Sequence, residues 1–241
     1  MSDAKVRLFV DQSLALGQPV AVGEAQANYL FNVMRLAAGA GVALFNNRDG
    51  EWFATVAEAG KRRGVLLCQR QTAPLRLPPD LWLLFAPIRK ERTQFIVEKA
   101  VELGVARVVP VQTARTKAER VRQDKLQAHA MEAAEQCGAT FMPEVAGLTQ
   151  LDRLLAKWPA DRRLLWCDEA LAGQATPLSG PKGQPWAILI GPEGGFSDGE
   201  QQRLRALPQV TPLSLGPRIL RADTAAVAAL TLWQAALGDW S

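Results

Sequence analysis

Short apolar runs separated by turn signals dominate the first third of the chain. They are rich in β-branched and aromatic residues, and the Asn-Arg-Asp-Gly stretch at 47–50 is typical of a turn between strands. We expect strands at residues 6–10, 42–45, 52–56 and 65–69. A series of such short strands predicts a small β-barrel or a β-sandwich.

One segment of this region has a helical period instead. Between residues 24 and 36, Ala27, Leu30, Val33 and Met34 recur every three or four positions, with Phe31 close to the same stripe. The spacing predicts one helix whose apolar stripe lies in the core.

A proline-rich segment at 72–80 then interrupts the pattern. Its prolines do not fit inside a helix or a central strand, so it marks a boundary. We therefore expect two domains, residues 1–73 and 74–241.

Beyond this boundary, apolar runs alternate with amphipathic stretches. We expect strands at 81–86, 107–111, 164–167, 186–190 and 211–215, and helices at 91–103, 121–137, 149–158 and 224–237. In the first of these helices, Phe95 or Ile96, Lys99 or Ala100, and Leu103 have helical spacing. The alternation predicts an α/β fold with a mostly parallel sheet covered by helices. The last helix is apolar nearly all round, which predicts burial in the core or against a second subunit.

Composition excludes several classes of chemistry. Cys68, Cys137 and Cys167 show no C-x-x-C spacing, so we predict buried thiols rather than a disulfide framework or a zinc site. His129 is the only histidine, which argues against Ser-His-Asp, Cys-His and multi-histidine metal chemistry. The first residues lack the apolar core of a signal peptide, and no apolar run approaches the ~20 residues that span a bilayer. We expect a soluble cytoplasmic protein with no membrane segment and no metal.

The positive charge is concentrated near the N-terminus. The net charge is +4, and residues 1–76 contain nine basic and six acidic side chains. A local excess of this size is compatible with a polyanion-binding surface, although many proteins without a nucleic-acid partner have as much.

The most informative segment is 188–200, where an apolar strand runs into a loop with three glycines. Glycines let a backbone approach a ligand, and α/β sheets bind ligands beyond the carboxyl ends of their strands. The loop lacks the patterns of a P-loop or a dinucleotide loop, and Glu193 would repel a phosphate, so the ligand should be neutral or cationic there. Ser197 and Glu200 have the spacing of a helix capping box. A tight turn without a ligand would use the same glycines.

A second loop of this kind lies at 213–225, where Gly216-Pro217 follows a strand end and Asp223 or Thr224 is the expected helix cap. Two such loops at neighbouring strand ends can form opposite walls of one pocket. Arg218 and Arg221 would project close to it, and could hold an anionic group or stabilise a developing anion. The alternative for either arginine is a surface ion pair with Asp223 or a neighbour.

These two loops resemble the RsmE family of bacterial 16S ribosomal RNA (uracil-N3)-methyltransferases, in the SPOUT superfamily. The resembling motifs are Ile-Gly-Pro-Glu-Gly-Gly-Phe at 190–196 and Leu-Gly-Pro-Arg-Ile-Leu-Arg-Ala-Asp-Thr-Ala at 215–225. Weaker matches lie at 7–10, 29–36, 99–105 and 132–138, so the resemblance extends over essentially the whole chain.

The resemblance implies a SPOUT-type parallel sheet with a C-terminal trefoil knot, preceded by a PUA-like β-barrel that helps to hold RNA. It implies a homodimer that binds S-adenosylmethionine in the knot loops, with a third segment around 165–168, and acts on 16S ribosomal RNA or the small ribosomal subunit. The implied cofactor-binding residues are Leu189, Ile190, Gly191, Pro192, Glu193, Gly194, Gly195, Leu215, Gly216, Arg218, Ile219, Leu220 and Thr224. The chain departs from the family pattern at Asn28 (usually histidine), Ala139 (commonly arginine) and Asp223 (more usually glutamate), which concerns the grip on RNA more than the glycine loops.

Methylation at uracil N3 requires loss of a proton, and therefore a proton acceptor, stabilisation of the anionic ring, or both. Glu193 is the candidate acceptor and Arg221 the candidate stabiliser. Glutamate would need burial to raise its pKa for this role. Alternatively, Glu193 fixes the loop by accepting backbone amide protons.

Basic segments at 61–63, 89–92 and 115–117, with two further arginines, are candidates for phosphate contacts, which supply affinity without sequence information. The candidates are Arg7, Arg35, Arg62, Arg63, Arg89, Lys90, Arg92, Arg115 and Lys117. The rival functions are a SPOUT methyltransferase acting on another RNA base, an RNA-binding module without catalysis, and an enzyme acting on a small nucleotide. The loop chemistry disfavours the last.

Overall fold

The computed structural model describes residues 4–118, 120–174 and 178–240, and the chain divides into two compact units. The first unit contains Met1–Leu77 together with Ala134–Met142, and the second contains Pro78–Ala133 and Pro143–Ser241. The first change of unit falls inside the proline-rich segment 72–80. The predicted division into 1–73 and 74–241 did not include residues 134–142 in the first unit, to which they belong in the structure.

A five-stranded mixed sheet forms the first unit, in the order β1-β3-β4-β5-β2. Its strands are β1 (Arg7–Phe9), β2 (Pro19–Val22), β3 (Gly41–Phe45), β4 (Glu51–Ala59) and β5 (Gly64–Ala73). Strand β1 runs parallel to β3, and the other pairs are antiparallel. The four predicted strands are present. Strand β2 was not predicted, because only two of its four residues are buried and its apolar signal is short.

The helix predicted over 24–36 is wrong in its second half. An α-helix, α1, covers only Glu24–Ala27, and the chain continues as a π-helix over Asn28–Val33. A π-turn contains more residues than an α-turn, so side chains beyond it leave the stripe that a 3.6-residue period predicts.

The change of helix type decides which side chains reach the core. Ala27 and Leu30 are fully buried as predicted, and Phe31 packs against the same core while partly exposed. Val33 and Met34, predicted to be buried, are 61% and 38% exposed.

Arg7 is a structural residue of the first unit, which corrects its expected role as a phosphate contact. Its side chain is only 17% exposed, and its Nε lies 2.7 Å from Glu51 Oε2. Its two terminal nitrogens donate to the carbonyls of Ala134, Glu135 and Ala139 at 2.7–3.0 Å. The first two of these carbonyls lie in the last turn of a helix, where they lack helical partners. Arg7 therefore satisfies a helix end rather than facing solvent.

The second unit is built on a seven-stranded parallel sheet. Its strands are β6 (Leu81–Phe85), β7 (Arg107–Gln112), β8 (Glu144–Val145), β9 (Thr149–Gln150), β10 (Arg163–Cys167), β11 (Trp186–Ile190) and β12 (Val210–Leu213). The order is β12-β10-β11-β6-β7-β8, with β9 pairing to β7. All of these pairs are parallel, which confirms the predicted α/β class.

The described residues beyond position 78 contain five α-helices, of which the second ends within the first unit. They are α2 (Lys90–Glu102), α3 (Gln123–Cys137), α4 (Leu151–Leu155), α5 (Asp198–Ala206) and α6 (Ala222–Leu237). The spacing in α2 allowed either Phe95 or Ile96, and either Lys99 or Ala100, on the buried face. Ile96 and Ala100 are the buried residues, whereas Phe95 is partly exposed. The helix predicted over 149–158 is wrong at both ends, because residues 149–150 pair with β7 and α4 is a short helix.

Helix α6 combines a buried apolar face with an exposed leucine. Ala229, Leu230 and Trp233 are buried, whereas Leu232 is half exposed. The helix begins at Ala222 after Arg221, so the predicted cap at Asp223 or Thr224 is wrong. In the described ranges, no helix has both the length and the apolar character that crossing a bilayer requires.

We predict that Leu30→Ala lowers the free energy of unfolding by roughly 2–5 kcal/mol, because it removes a fully buried side chain. Val33→Ala, in the same helical segment, should change it by less than about 0.5 kcal/mol, because Val33 is exposed. Urea denaturation of the two variants measures the difference. Equal losses would mean that the segment is an ordinary α-helix with both residues in the core.

Candidate active site

The carboxyl ends of β10, β11 and β12 lead into three loops that enclose one cavity. These strands are neighbours in a parallel sheet, so all three loops leave from the same edge. The cavity has a volume of about 640 Å³. Its lining comes from residues 166–170, 172, 190–193, 195–196, 201, 213, 215–216, 218–222 and 225 of the second unit. The two glycine loops and the segment around 165–168 therefore meet, as the strand order requires.

The loop after β11 is shaped by a close contact within itself. A Cβ on Gly191 would lie 2.7 Å from the ring of Phe196, so any other residue at 191 would displace this ring. Phe196 packs edge-on against Trp166 with 6.0 Å between ring centroids, and both residues line the cavity. Gly191 thus lets the loop fold back onto the aromatic floor of the cavity.

The tip of this loop is held by backbone conformation and by an arginine from another loop. Gly195 has a φ of +67°, which favours glycine, and its N–H donates to the Pro192 carbonyl at 2.9 Å. Arg115 donates from Nη1 to the Gly194 carbonyl at 2.7 Å. Gly194 itself is exposed and does not line the cavity.

A buried carboxylate fastens the end of the loop. Glu200, only 3% exposed, accepts hydrogen bonds from the Ser197 N–H and hydroxyl and from the Ala114 N–H, all at 2.7–2.8 Å. Ser197 accepts in return from the Glu200 N–H, which confirms the predicted capping box. The bond from Ala114 was not foreseen, and it ties the loop after β7 to the glycine loop.

The loop after β12 supplies the opposite wall. Gly216 has a φ of +105°, and its carbonyl accepts from the Gly173 N–H at 3.1 Å. This wall also contains the exposed residues Arg218 and Arg221, whose guanidinium groups carry positive charge. Its other lining residues are Leu215, Gly216, Ile219 and Leu220.

The third wall follows β10 and carries two carboxylates. Asp168 is buried, accepts from the Ala170 N–H at 3.1 Å, and lies 3.6 Å from Arg205. Glu169 lies against Gly195, where a Cβ would be 2.4 Å from Glu169 Oε1. An Asp-Glu pair directly after an apolar strand is the signal that could have identified Glu169 from the sequence.

The prediction that all three cysteines are buried is wrong for two of them. Cys68 is buried, Cys137 is exposed, and Cys167 is partly buried in the cavity wall. Burial raises the pKa of the Cys167 thiol to about 12, so this sulfur is a neutral thiol near neutral pH.

Charged side chains cluster around Glu193. Its side chain is 50% exposed and lies 3.8 Å from Arg92 Nη1. Arg92 Nε in turn lies 3.7 Å from Asp223 Oδ2, in the first turn of α6. The alternative role for Arg218 or Arg221 was a surface ion pair with Asp223 or a neighbour, but Asp223 pairs with Arg92 from α2. Glu193 does not have the burial that a proton acceptor was expected to need.

Of the predicted cofactor-binding residues, ten line the cavity and three do not. Leu189 is buried in the hydrophobic core of the sheet, Gly194 lies on the outer side of the loop, and Thr224 is exposed on α6. The lining residues that the sequence analysis missed are Glu169, Ala170, Ala172, Phe196, Gln201, Leu213, Ala222 and Ala225.

The predicted phosphate contacts fall into separate groups. Arg89, Lys90, Arg115 and Lys117 are exposed in the second unit, where Arg92 is half-buried. Arg35, Arg62 and Arg63 are exposed in the first unit.

Two family models match the chain. The RNA methyltransferase domain matches residues 75–234, and the PUA domain of RNA methyltransferases matches residues 22–66. The ribosomal RNA small subunit methyltransferase E of Synechocystis is 30% identical over 233 residues, covering 93% of this chain and 75% of that protein. That of Rickettsia conorii is 26% identical over 228 residues, covering 93% of each. The chain belongs to the ribosomal RNA small subunit methyltransferase E family.

Solved structures agree with membership of this family. The ribosomal RNA small subunit methyltransferase E of Neisseria gonorrhoeae, bound to S-adenosylmethionine, has a TM-score of 0.85 at 26% identity, covering 98% of this chain and 99% of that one. A protein from Legionella pneumophila, also bound to S-adenosylmethionine, has a TM-score of 0.87 at 29% identity, covering 97% and 98%. The predicted family is confirmed, and with it a PUA domain and an α/β RNA methyltransferase domain.

Within the described residues of this family member, no group of three or more histidine, cysteine, aspartate or glutamate side chains is arranged to hold a metal ion.

We predict that Gly191→Ala lowers the free energy of unfolding by about 1–3 kcal/mol, because the new methyl group forces Phe196 away from Trp166. Gly199→Ala is the matched control, since its Cβ would meet only the Arg203 guanidinium at 3.8 Å. Urea denaturation and the near-ultraviolet circular dichroism of the tryptophans measure the effect. A Gly191 variant as stable as the control would contradict the close contact.

Proposed function

We propose that this protein transfers the methyl group of S-adenosylmethionine to N3 of a uridine in 16S ribosomal RNA. The observation that carries the proposal is the cavity formed by three strand-end loops in a chain of this family. The proposed enzyme works in the cytoplasm on the 16S ribosomal RNA or the small ribosomal subunit.

The cavity fits the proposed cofactor in size and charge. Its volume of about 640 Å³ lies within the ~300–1,000 Å³ of typical small-ligand sites. Carboxylates of Asp168, Glu169 and Glu193 line it, which favours a ligand with a positive sulfonium or ammonium group. Arg218 and Arg221 are available for an anionic group such as a carboxylate. When bound, S-adenosylmethionine supplies an electrophilic methyl group on a sulfonium.

In the proposed mechanism, Glu193 accepts the N3 proton at the rim of the cavity, where bound RNA would have to supply the burial that this carboxylate lacks in the free protein. The alternative, in which Glu193 fixes its loop, has little support. Among the described residues Glu193 accepts no backbone amide, and the loop is held by other hydrogen bonds at Gly194 and Gly195. Arg92 lies close enough to orient the Glu193 carboxylate, and Arg221 stabilises negative charge on the base.

The proposal includes a C-terminal trefoil knot that contains the two glycine loops, and a homodimer. In support of a dimer, Phe95 on α2 and Leu232 on α6 are large apolar side chains left partly exposed on helices that pack together. A second copy of the chain would cover them. Exposed Arg89, Lys90, Arg115 and Lys117 are the proposed phosphate contacts in the methyltransferase domain.

We expect 16S ribosomal RNA from cells lacking this protein to lack one N3-methyluridine, and the purified protein with S-adenosylmethionine to restore it. Mass spectrometry of nuclease fragments of the RNA identifies the modified nucleoside. Loss of a different methylated base would place the protein on another target. Unchanged RNA together with RNA binding would identify a binding module without catalysis.

We predict that Glu193→Gln lowers the turnover number by about 10²–10⁴-fold at saturating cofactor, because the amide cannot accept the N3 proton. Affinity for S-adenosylmethionine, measured by calorimetry, should change much less. The control is Glu91→Gln, an exposed glutamate on α2 outside the cavity lining. Near-normal turnover of the Glu193 variant would eliminate this residue as the base.

A further inference from the structure

The exposed pair Val33-Met34 is a feature of the first unit that its packing does not explain. Val33 is 61% exposed and Met34 is 38% exposed, although their neighbour Leu30 is fully buried. A single exposed apolar residue is common in proteins, but two consecutive ones at the end of a helix form a small apolar surface.

The backbone presents this pair in an unusual way. The Met34 N–H donates to the Tyr29 carbonyl at 2.9 Å, which closes the last π-turn. The next residue, Arg35, has a φ of +55°, a left-handed conformation that costs a non-glycine residue energy. Single π-turns and strained residues occur frequently at functional sites. Val33, Met34 and Arg35 thus lie together at an exposed turn.

Basic side chains lie on a hairpin that contacts the same helical segment at Glu24 and Phe31. The tip of the β4–β5 hairpin contains Lys61, Arg62 and Arg63, all exposed. Two contacts join the hairpin to the helical segment. Arg62 Nε lies 3.5 Å from Glu24 Oε1, and the Phe31 ring lies so close to Gly64 that a Cβ there would be 2.5 Å away. The hairpin tip and Arg35 together carry four cations, against the two carboxylates of Glu24 and Glu58 in these segments.

This inference rests on the proposed function, because it assigns a part of the proposed RNA substrate to this surface. We propose that Val33 and Met34 form an apolar wedge against an unpaired base of the 16S ribosomal RNA, while Arg35, Arg62 and Arg63 contact the flanking phosphates. Apolar side chains inserted against bases are a known way for proteins to hold locally unstacked nucleic acid. The phosphates supply affinity, and the wedge selects unpaired over paired RNA.

RNA is favoured over other anionic partners by the position of the surface within the chain. The proposed wedge and its arginines lie within residues 22–66, the segment that matches the PUA domain of RNA methyltransferases. A membrane of anionic lipids would also attract basic and apolar groups, so it is included below as an outcome.

The test compares two double variants of the full-length protein. Val33→Ser/Met34→Ser should weaken binding of in vitro transcribed 16S ribosomal RNA about tenfold, because the apolar contact is lost. Its salt dependence should stay unchanged, since no charge is removed. Arg62→Gln/Arg63→Gln should also weaken binding, and should lower the slope of log affinity against log salt by about 1.4–1.8. Filter binding over a range of salt concentrations measures both quantities.

Three controls make the result specific. Leu16→Ser removes a 77% exposed leucine from another segment of the same unit and should leave RNA affinity unchanged. A fully paired RNA duplex should bind the wild type and the Val33/Met34 variant equally. Calorimetry with S-adenosylmethionine should give the same affinity for every variant.

Unchanged 16S ribosomal RNA affinity of the Val33/Met34 variant would overturn the wedge. So would an equal loss on the duplex, or a loss seen only on vesicles of anionic phospholipid. None of these outcomes would contradict the proposed methyl transfer. That proposal is contradicted only if the wild-type protein does not methylate the RNA.

Discussion

The parallel pairing of β10 with both β11 and β12 is the constraint on which the active site depends. Parallel neighbours place their carboxyl ends at one edge, so the loops that follow must share a small volume. The cavity therefore follows from strand order before any side chain is considered. The buried carboxylate of Glu200 then fixes one wall, because it accepts hydrogen bonds from its own loop and from the loop after β7.

Sequence patterns predicted the parts of the chain in which local and tertiary preferences agree. The buried strands β6, β10 and β11 are continuous apolar runs, and each was located to within about a residue. The glycine loop after β11 was located with its capping box, because Ser197 and Glu200 have a spacing that is itself a structural signal. In these segments the chemistry of a few consecutive residues is sufficient.

Features that depend on distant residues were not predictable in this way. Arg7 has the appearance of a surface cation, but it bonds to carbonyls more than a hundred positions away. Arg92 belongs to a basic run on α2, yet its partners are Glu193 and Asp223 from two other segments. The π-turn at Asn28–Val33 changes the helical period without any signal in the apolar spacing. Each case depends on which segments the fold brings together, and a single sequence does not contain that information.

The partly buried thiol of Cys167 has a chemical implication for an enzyme that stores a methylating agent. Sulfur is a far better nucleophile as thiolate than as thiol, and a thiolate in the wall of such a pocket would consume the reagent and alkylate its own protein. Burial raises the pKa of this thiol and so makes its already small thiolate fraction smaller still. The surroundings of the sulfur thus act against self-alkylation, which is the chemical condition for a cysteine to stand in the wall of such a pocket.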